Sequence, residues 1–410
     1  MPRFCTAPDP RHRLAVLGVF TAEENLARRE AARTWIRGTA EAPGALAKPL
    51  LAKFVARGLG ETPTLAREAH SHGDIILLPG LADMPRSNGP LLTLILWLEC
   101  ALVAWPHAAL IGKADDDVWV HTDATAAHLQ GSLRALRTQM RLTEVDVPHM
   151  YWGLMETYSW SLTSHRPMGF QYKFGSGQPT CVVQNKSNHT LVGPVHFAKG
   201  PMYFVSAPLI AQLVADPSVQ AYTMTVIASA NYSAGSRHKV LPWEDVFTGL
   251  ALTRTVAGVN AAYVHMGSRV AGESYGIYSK MGFGHNTILF HANTKSSRSM
   301  DRYVAMHRWA LEHHCDPGLA ARAATLRCEM TELTSCTGVK WKRCLYVHNY
   351  TACPQSGPRW KAGQSLGAHF QQLKLELGSP DSSGRNRTVE RIRNRTSRHA
   401  MGLGRGHVKV

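Results

Sequence analysis

Three consecutive aspartates, Asp115, Asp116 and Asp117, follow the apolar segment that begins LIGKA at residue 110. Adjacent carboxylates repel one another, so this arrangement costs stability unless a cation lies among them. Carboxylate oxygens are the ligands that Mg²⁺ and Mn²⁺ prefer. The residues alone also fit a solvated acidic turn, but such turns seldom end so apolar a segment. Their position therefore favours a metal site.

Two further positions carry groups that could take part in catalysis. Glu244 and Asp245 stand together in PWEDVFTGLAL, residues 242–252. A carboxylate can deprotonate a hydroxyl if it lies within hydrogen-bond reach of it. The alternative is an ordinary acidic helix start, which the helix dipole favours. His291 follows the apolar residues ILF, and it is either a core histidine or a metal ligand.

The segments around the aspartates alternate between the patterns of strands and helices. Short apolar runs predict strands at 14–20, 74–78 and 107–114. Helix-forming residues predict helices at 23–35 and 123–140. This alternation predicts an α/β fold, in which helices cover both faces of a sheet. The aspartates then lie at the carboxyl end of a strand, where such sheets bind ligands.

The later part of the chain shows the same kinds of element. We predict strands at 151–155 and 202–205, helices at 207–216 and 243–255, and surface insertions rich in Gly, Ser, Asn and Thr at 171–188 and 221–238.

One apolar stretch, residues 91–111, is long enough for a membrane span. It contains Glu99 and Pro106 and runs directly into the aspartates. Charged residues are costly inside a bilayer. We therefore expect a buried helix followed by a buried strand.

The composition indicates a folded chain with a basic C-terminal tail. Of 410 residues, 44% are hydrophobic and 18% are charged, which is a globular mixture. The formal net charge is +16, and residues 385–410 hold seven Arg, one Lys and a single acid, Glu390, so they contribute +7. This tail is either simply solvated or a binding surface for an acidic partner.

The cysteines and glycosylation motifs indicate the secretory lumen. Five of the eight cysteines fall between residues 315 and 353, and the absence of any Cys-x-x-Cys pair argues against a structural zinc site. Six Asn-x-Ser/Thr motifs begin at Asn185, Asn188, Asn231, Asn349, Asn386 and Asn394. Together these features favour a compartment where disulfides and N-glycans form. The N-terminal residues MPRFCTAPDPRHR show neither a signal peptide nor an anchor, because they have no apolar core.

The segment KADDDVWV, residues 113–120, resembles the K-x-DDD-x-F-V signature of the β-1,3-galactosyltransferase family, glycosyltransferase family 31. Other segments resemble blocks of that family in the expected order: LAVLGVFTAEENLARREAARTW, HGDIILL, YWG, KGPMYFVS, PWEDVFTGLAL and ILFH. Together they extend from about residue 14 to residue 309. The chain departs from the pattern by one missing residue before Thr34 and by Thr93 where a lysine is usual. The C-terminal cysteine segment and the family's N-terminal anchor have no match.

The resemblance implies a GT-A type fold, with a Rossmann-like mixed sheet in a single catalytic domain, residues 1–310. A cysteine-containing extension, 311–355, and a basic, disordered tail, 356–410, would follow. It also implies the inverting transfer of a hexose, with galactose expected, from a UDP-sugar to a hydroxyl of a glycan or glycoprotein acceptor. The linkage would be β-1,3 and the metal Mn²⁺ or Mg²⁺. We expect a lumenal Golgi enzyme of protein glycosylation, held to the membrane by an anchor not visible in this chain, and no nucleic-acid partner.

The resemblance assigns donor-side roles to six residues. The metal ligands would be Asp117 and His291, with Asp115 directed toward the ribose and Asp116 supporting the loop. Either Arg29 or Arg33 would contact the diphosphate.

On the acceptor side, the resemblance makes Asp245 the catalytic base, while Glu244 orients the loop. Gly200 and Tyr203 would shape the acceptor site. Trp152 and Trp243 could stack on a sugar ring, although each also fits a core position.

Three alternative functions remain, and each can be distinguished from the galactosyltransferase by a specific feature. The first is a β-1,3-N-acetylglucosaminyltransferase of the same fold, because specificity depends on pocket shape. The second is a non-catalytic carbohydrate-binding protein, which loss of Asp117 or Asp245 would have supported; both are present. The third is a metal-dependent phosphoryl transferase or nuclease, but the sequence contains no GxxxxGK[ST] motif.

Overall fold

The computed structural model describes twelve ranges of the chain. They are residues 8–37, 49–57, 63–78, 89–161, 166–172, 191–230, 244–255, 261–266, 270–272, 287–291, 325–334 and 340–349. All of them belong to one compact unit, Met1–Arg359.

The strands are β1 (Arg13–Thr21), β2 (Leu50–Arg57), β3 (Ile75–Leu78), β4 (Ala108–Asp115), β5 (Val118–Val120), β6 (Met150–Ser161), β7 (Arg166–Tyr172), β8 (Leu191–Ser206), β9 (Ala262–His265), β10 (Val270–Gly272), β11 (Leu289–His291), β12 (Thr325–Thr334) and β13 (Lys340–Asn349). The helices are a 3₁₀ turn (Glu23–Asn25), α1 (Leu26–Ile36), α2 (Pro63–His72), α3 (Gly89–Ala104), α4 (Thr122–Met140), α5 (Ala207–Ala215), α6 (Pro217–Ala230) and α7 (Glu244–Thr255).

Within the described residues, ten strands form one mixed sheet. Its order is β12-β13-β9-β6-β8-β4-β1-β2-β3, and β7 pairs with β6. Strands β4, β1, β2 and β3 are mutually parallel, whereas β8 lies antiparallel to both β4 and β6. A smaller sheet has the order β10-β11-β5. The parallel half places the carboxyl ends of β4, β1 and β2 side by side.

Helices pack on both faces of the large sheet. On one face, Val16 and Ile111 belong to the same buried cluster as helix α3. On the other face, the indole N–H of Trp152 donates to Nδ1 of His128 in α4 at 3.0 Å. Alternate residues of a strand point to opposite faces, so each strand serves both layers. The predicted α/β fold with helices on both faces is confirmed.

The long apolar stretch is a buried helix followed by a strand, as predicted. Helix α3 packs so closely on β1 that a Cβ on Gly18 would lie 2.5 Å from the Trp97 ring. The Trp97 indole N–H donates to the Gly112 carbonyl of β4 at 2.9 Å. No helix among the described residues has the length and apolar character needed to cross a membrane.

The prediction of a surface insertion at 221–238 is wrong for its first ten residues, which continue helix α6 to Ala230. Tyr222 stacks on Phe247 of α7, with ring centroids 4.9 Å apart, and this packing outweighs the polar composition. Residues 231–238 lie outside the described residues. The other predicted insertion begins within β7, and residues 173–188 lie outside the described residues.

Two strands of the C-terminal segment belong to the large sheet. Strand β13 pairs in parallel with β9, and β12 forms the edge beside it. The domain boundary at residue 310 stays a prediction, and residues 356–410 lie outside the described residues. Cys100 and Cys328 are each disulfide-bonded, and no described cysteine is free.

Candidate active site

The three aspartates lie where β4 ends. Asp115 is the last residue of this strand, and it is in register with Phe20 of β1. Asp116 and Asp117 form the turn that leads into β5. Strand β5 pairs with β11, where Val118 opposes His291. The small sheet thus brings a histidine from 174 positions later beside the acidic turn.

Asp115, Asp117 and His291 form a group that fits a metal ion. Their ligand atoms all lie within 4.8 Å of one another. Oδ1 of Asp117 is buried and accepts no hydrogen bond, although His291 Nε2 is 3.3 Å away. A buried carboxylate oxygen without a donor is costly, and a cation would satisfy it. Two carboxylates and an imidazole suit Mn²⁺. The structure therefore adds Asp115 to the predicted ligands.

Electrostatics distinguishes the two carboxylates of this group. Burial raises the pKa of Asp115 to about 6, partly offset by the charge of Lys113 and reinforced by those of Asp117 and Glu244. Burial also raises the pKa of Asp117, but the contact with His291 and the charge of Arg28 reverse this, so its net pKa lies below the ordinary value. The excess negative charge around Asp115 is another reason to expect a cation here.

Lys113 connects the aspartates to a second acidic pair. Its ammonium is buried and donates to Asp115 Oδ1 at 2.5 Å, to Glu244 Oε1 at 2.8 Å and to the Gly200 carbonyl at 2.8 Å. Burial lowers the pKa of Lys113, but Asp115 and Glu244 outweigh it, so the net pKa is raised. Three acceptors use all three of its N–H donors. The Lys-x-Asp spacing, which puts both side chains on one face of β4, was the sequence signal for this contact.

Asp245 lies beside this cluster at the start of α7. Its Oδ2 accepts from the Gly200 N–H at 3.0 Å, and its Oδ1 accepts from the Val246 N–H at 2.7 Å. Burial and the neighbouring charge of Glu244 raise its pKa to about 7, despite the opposing effect of Lys113. The pKa of Glu244 is lowered, because its pairing with Lys113 outweighs the upward effect of burial. Two adjacent carboxylates therefore have separated pKa values, a pattern typical of catalytic sites.

Asp116 holds the acidic turn against the start of helix α1. Its Oδ2 accepts from Thr21 Oγ1 at 2.7 Å and from Asn25 Nδ2 at 2.9 Å. Its Oδ1 accepts from Arg28 at 2.9 Å. This residue is 5% exposed. These contacts are those expected of a residue that supports the loop. Neither Asn25 nor Arg28 was singled out from the sequence.

Arg29 and Arg33 do not reach the acidic pocket. Both are almost fully buried, and both pair with Glu68 of α2 at 2.7 Å. Arg33 also pairs with Asp74 at 2.8 Å. The predicted role of either residue as a diphosphate ligand does not fit these positions, because each guanidinium is already committed to internal carboxylates. Arg29 instead braces the strand end, donating to Thr21 Oγ1 at 3.2 Å.

A cavity of about 240 Å³ opens between the ends of β4, β1 and β2 and the start of α3. Its lining includes Thr21, Asn25, Arg57, Thr93, Asp115 and Glu244. Neither Arg57 nor strand β2 was recognised in the sequence. The signal was available, because LLAKFVAR is an apolar segment that ends in a charged residue. Ligands of α/β proteins lie at this end of the strands.

The remaining predicted site residues fall in the core or outside the described residues. Trp152 is completely buried, and its ring packs against Phe204 at 5.6 Å, so it is a core residue. Tyr203 is also buried, and its hydroxyl lies 3.3 Å from Thr248 Oγ1. It supports α7 behind Glu244 and Asp245. Trp243 lies outside the described residues.

The solved structures to which the chain is similar are distant. They include the galactosyltransferase LgtC in complex with donor and acceptor sugar analogues, at 11% identity and a TM-score of 0.35, over 72% of this chain and 95% of that one. Mouse xyloside xylosyltransferase 1, in its apo form, has 10% identity and a TM-score of 0.36, over 70% and 98% of the two chains. A glycosyltransferase involved in glycosylation of the major capsid of PBCV-1 has 9% identity and a TM-score of 0.31, over 72% and 99%.

The sequence itself is similar to one family. A family model described as galactosyltransferase matches residues 27–226, a segment that contains the aspartates, Lys113 and Gly200. The match agrees with the resemblance of the individual segments and with the α/β sheet on which they lie. The matched segment is therefore similar to the galactosyltransferase family, which supports a hexosyltransferase.

Proposed function

We propose that this protein is an inverting, metal-dependent enzyme that transfers a hexose from a UDP-sugar to a glycan hydroxyl. The hexose that we propose is galactose, and the linkage formed is β-1,3. The observation that carries the proposal is the contact chain from Asp115 through Lys113 to Glu244 and its neighbour Asp245. It joins a group suited to a metal ion to a buried carboxylate with a pKa of about 7.

On the donor side, Asp115, Asp117 and His291 would hold Mn²⁺ or Mg²⁺. When bound, the metal would supply positive charge to the leaving diphosphate. The protein residues orient the donor: Asp116 fixes the turn through Thr21 and Asn25.

On the acceptor side, Asp245 takes the proton of the attacking hydroxyl. Inversion needs one base on the face of the sugar opposite the leaving group. A carboxylate with a pKa of about 7 is ionised for a large part of the time at neutral pH, and it still accepts a proton readily. The N–H groups of Gly200 and Val246 hold the carboxylate in a fixed orientation.

Lys113 and Glu244 connect the donor side of the site to the acceptor side. The ammonium contacts the donor-side Asp115, the acceptor-side Glu244 and the carbonyl of Gly200. The Gly200 N–H also donates to Asp245, so the base is connected through Gly200 and Lys113 to β4, the strand that carries Asp115. A Cβ on Gly200 would lie 3.5–3.6 Å from Glu244, Lys113 and Asp245, which places this residue among all three.

We place the enzyme in the Golgi lumen, associated with the membrane, where it would modify glycoproteins. The disulfide-bonded Cys100 and Cys328 and the six glycosylation motifs support this location. We expect endoglycosidase treatment to reduce the mass of the protein made in eukaryotic cells. An unglycosylated protein in the cytosolic fraction would contradict the proposal.

The test of the activity is release of UDP from a panel of UDP-sugars by the purified protein, with and without Mn²⁺. We expect release from UDP-galactose that requires both the metal and a glycan acceptor. The linkage is then read from the product by methylation analysis. Preference for UDP-N-acetylglucosamine would support the N-acetylglucosaminyltransferase alternative. Absence of transfer from every donor, with glycan binding retained, would instead support a carbohydrate-binding protein.

A further inference from the structure

Strand β8 contains a bulge where it pairs with β6. On one side of the bulge, Gly153 is in register with Tyr203; on the other side, Met155 is in register with Ala198. A single residue of β6 therefore opposes four residues of β8, 199–202. Both ends of the bulge close on Gly153, because a Cβ there would lie 2.5 Å from the Ala198 Cβ and 3.1 Å from the Tyr203 Cβ. Bulges often lie next to active sites, where they redirect groups of the strand.

The bulge contains Gly200, whose peptide groups contact the acidic cluster. Its N–H donates to Oδ2 of Asp245 at 3.0 Å, and its carbonyl accepts from Lys113 at 2.8 Å. In regular pairing, the N–H and carbonyl of a strand residue are directed at the neighbouring strands. The bulge therefore determines where this hydrogen-bond donor of Asp245 lies.

Two buried side chains accept from the N–H groups that flank the bulge. The Met155 N–H donates to Nδ1 of His265 at 3.0 Å. The Ala198 N–H donates to the hydroxyl of Tyr151 at 2.9 Å. A buried N–H without an acceptor is destabilising, so the backbone at both ends of the bulge depends on these side chains.

The position and the protonation state of His265 suit this contact. It is the last residue of β9, it is fully buried, and it is in register with Gly153. The N–H of the next residue, Met266, donates to the Gly153 carbonyl at 2.9 Å, which fixes the end of β9 beside the bulge. Burial lowers the pKa of His265 to about 4, so the imidazole is neutral at neutral pH and its Nδ1 can accept.

We propose that His265 is a positioning residue of the transferase, which holds the bulge at 199–202 and, through Gly200, the orientation of the base Asp245. This inference rests on the proposed function and deepens it, because it assigns the placement of the catalytic base to a buried side chain of β9. Tyr151 has the corresponding role at the other end of the bulge.

The pKa of Asp245 reports on this arrangement. Burial raises it to about 7, and the hydrogen bond from the Gly200 N–H is among the contacts that oppose the increase. If the bulge moves, Asp245 loses this bond, so its pKa rises further. A variant that only destabilises the fold leaves the pKa of the folded enzyme unchanged.

Other groups that interact with Asp245 do not confuse this readout. In the described part of the chain, the charged or titratable side chains that face it are Glu244, Lys113, Tyr151 and Tyr203. Burial raises the pKa of both tyrosine hydroxyls, so they are neutral at neutral pH. Replacement of Tyr151 by Phe therefore changes no charge near the base.

The test is the pH profile of kcat/KM for sugar transfer from UDP-galactose. In His265→Leu the Met155 N–H loses its acceptor, and we expect the acid limb to move to higher pH by about one unit, the size of one lost hydrogen bond to a carboxylate. His265→Asn places an oxygen near the position of Nδ1, so its acid limb should lie close to that of the wild type. The affinity for UDP in the presence of Mn²⁺ should be unchanged in both variants.

His128→Leu is the matched control. His128 is also a buried histidine whose Nδ1 accepts one N–H at 3.0 Å, but the donor is the side chain of Trp152. This variant should lower the melting temperature without moving the acid limb.

Tyr151→Phe tests the inference even if His265→Leu does not fold, because it removes only the hydroxyl that accepts from Ala198. We expect a smaller shift of the acid limb in the same direction. An acid limb at the wild-type pH in Tyr151→Phe and in any folded His265→Leu, or an equal shift in His128→Leu, would overturn the inference and leave the proposed function intact. A wild-type protein that transfers no sugar would overturn the proposed function as well, so the two failures are distinguishable.

Discussion

Lys113 donates a hydrogen bond to Glu244 at 2.8 Å, which joins the end of strand β4 to the start of helix α7. The two residues are 131 positions apart in the chain. The ammonium is buried, and its other acceptors are Asp115 and the Gly200 carbonyl. The charge balance of the site therefore depends on one lysine, which pairs with both Asp115 and Glu244.

Replacing this lysine should unfold the protein at lower denaturant concentration. Lys113→Met leaves Asp115 and Glu244 buried without their counter-ion, and removing one partner of a buried pair costs about 3–5 kcal/mol. We expect a loss of that size in the free energy of unfolding, measured by urea denaturation. Lys53→Met is the control, because Lys53 is only partly buried and its hydrogen bond to the Gly73 carbonyl is exposed. Equal midpoints for Lys113→Met and the wild type would refute the role given to Lys113.

The metal assignment predicts a selective loss in Asp117→Ala. This variant removes the carboxylate whose buried Oδ1 accepts no hydrogen bond, so the fold should survive while Mn²⁺-dependent UDP binding weakens. Calorimetric titration with UDP, with and without Mn²⁺, measures the effect. Asp123→Ala, an exposed acidic position in the first turn of α4, should bind UDP as the wild type does. Undiminished metal-dependent binding in Asp117→Ala would show that the ligand is elsewhere.

The raised pKa of Asp245 predicts how activity depends on pH. The base must be ionised to act, so kcat/KM should be full above pH 7 and fall as pH decreases through about 7. Burial and the charge of Glu244 both raise this pKa, so Glu244→Gln should lower it and move the acid limb of the profile to lower pH. A pH profile for each protein measures the shift. An identical acid limb in the two proteins would exclude Asp245 as the titrating base.

The strands and helices that carry the site could be predicted from local patterns. Apolar runs gave β1, β3 and β4, and helix formers gave α1 and α4, to within a few residues. Strand β2 was missed, although LLAKFVAR is an apolar segment that follows a glycine- and proline-containing stretch. Helix α6 was misread, because its polar residues suggested a loop, whereas packing of Tyr222 on Phe247 determines its structure.

Side-chain partners at the site were less predictable than its residues. Family resemblance pointed to the aspartates, Asp245 and His291, but it could not show that Arg29 and Arg33 are occupied by Glu68. That pairing depends on helix α2, which no sequence pattern placed beside α1. The sequence identifies the chemical groups, whereas the tertiary fold determines which charges remain directed at the cavity.

The final prediction separates the base from the metal ligands. Asp245→Asn keeps the shape of the side chain but accepts no proton at neutral pH, and general-base catalysis contributes roughly 100- to 10,000-fold. We expect sugar transfer to fall by about that factor, while UDP-sugar affinity stays near normal because Asp245 is not among the metal-binding group. The stability of the folded protein should change little, because Asn removes a buried charge but cannot accept from both the Gly200 and the Val246 N–H groups. The pKa of the Asp245 carboxyl is raised from its ordinary value of 3.8 to about 7 in the folded state, so the stability of the wild type falls as pH rises between these two values, a loss that Asn does not incur. Glu244→Gln should reduce transfer much less, because Lys113 retains Asp115 and the Gly200 carbonyl as partners. Single-turnover transfer assays and thermal denaturation test both variants, and near-wild-type transfer by Asp245→Asn would mean that another residue is the base.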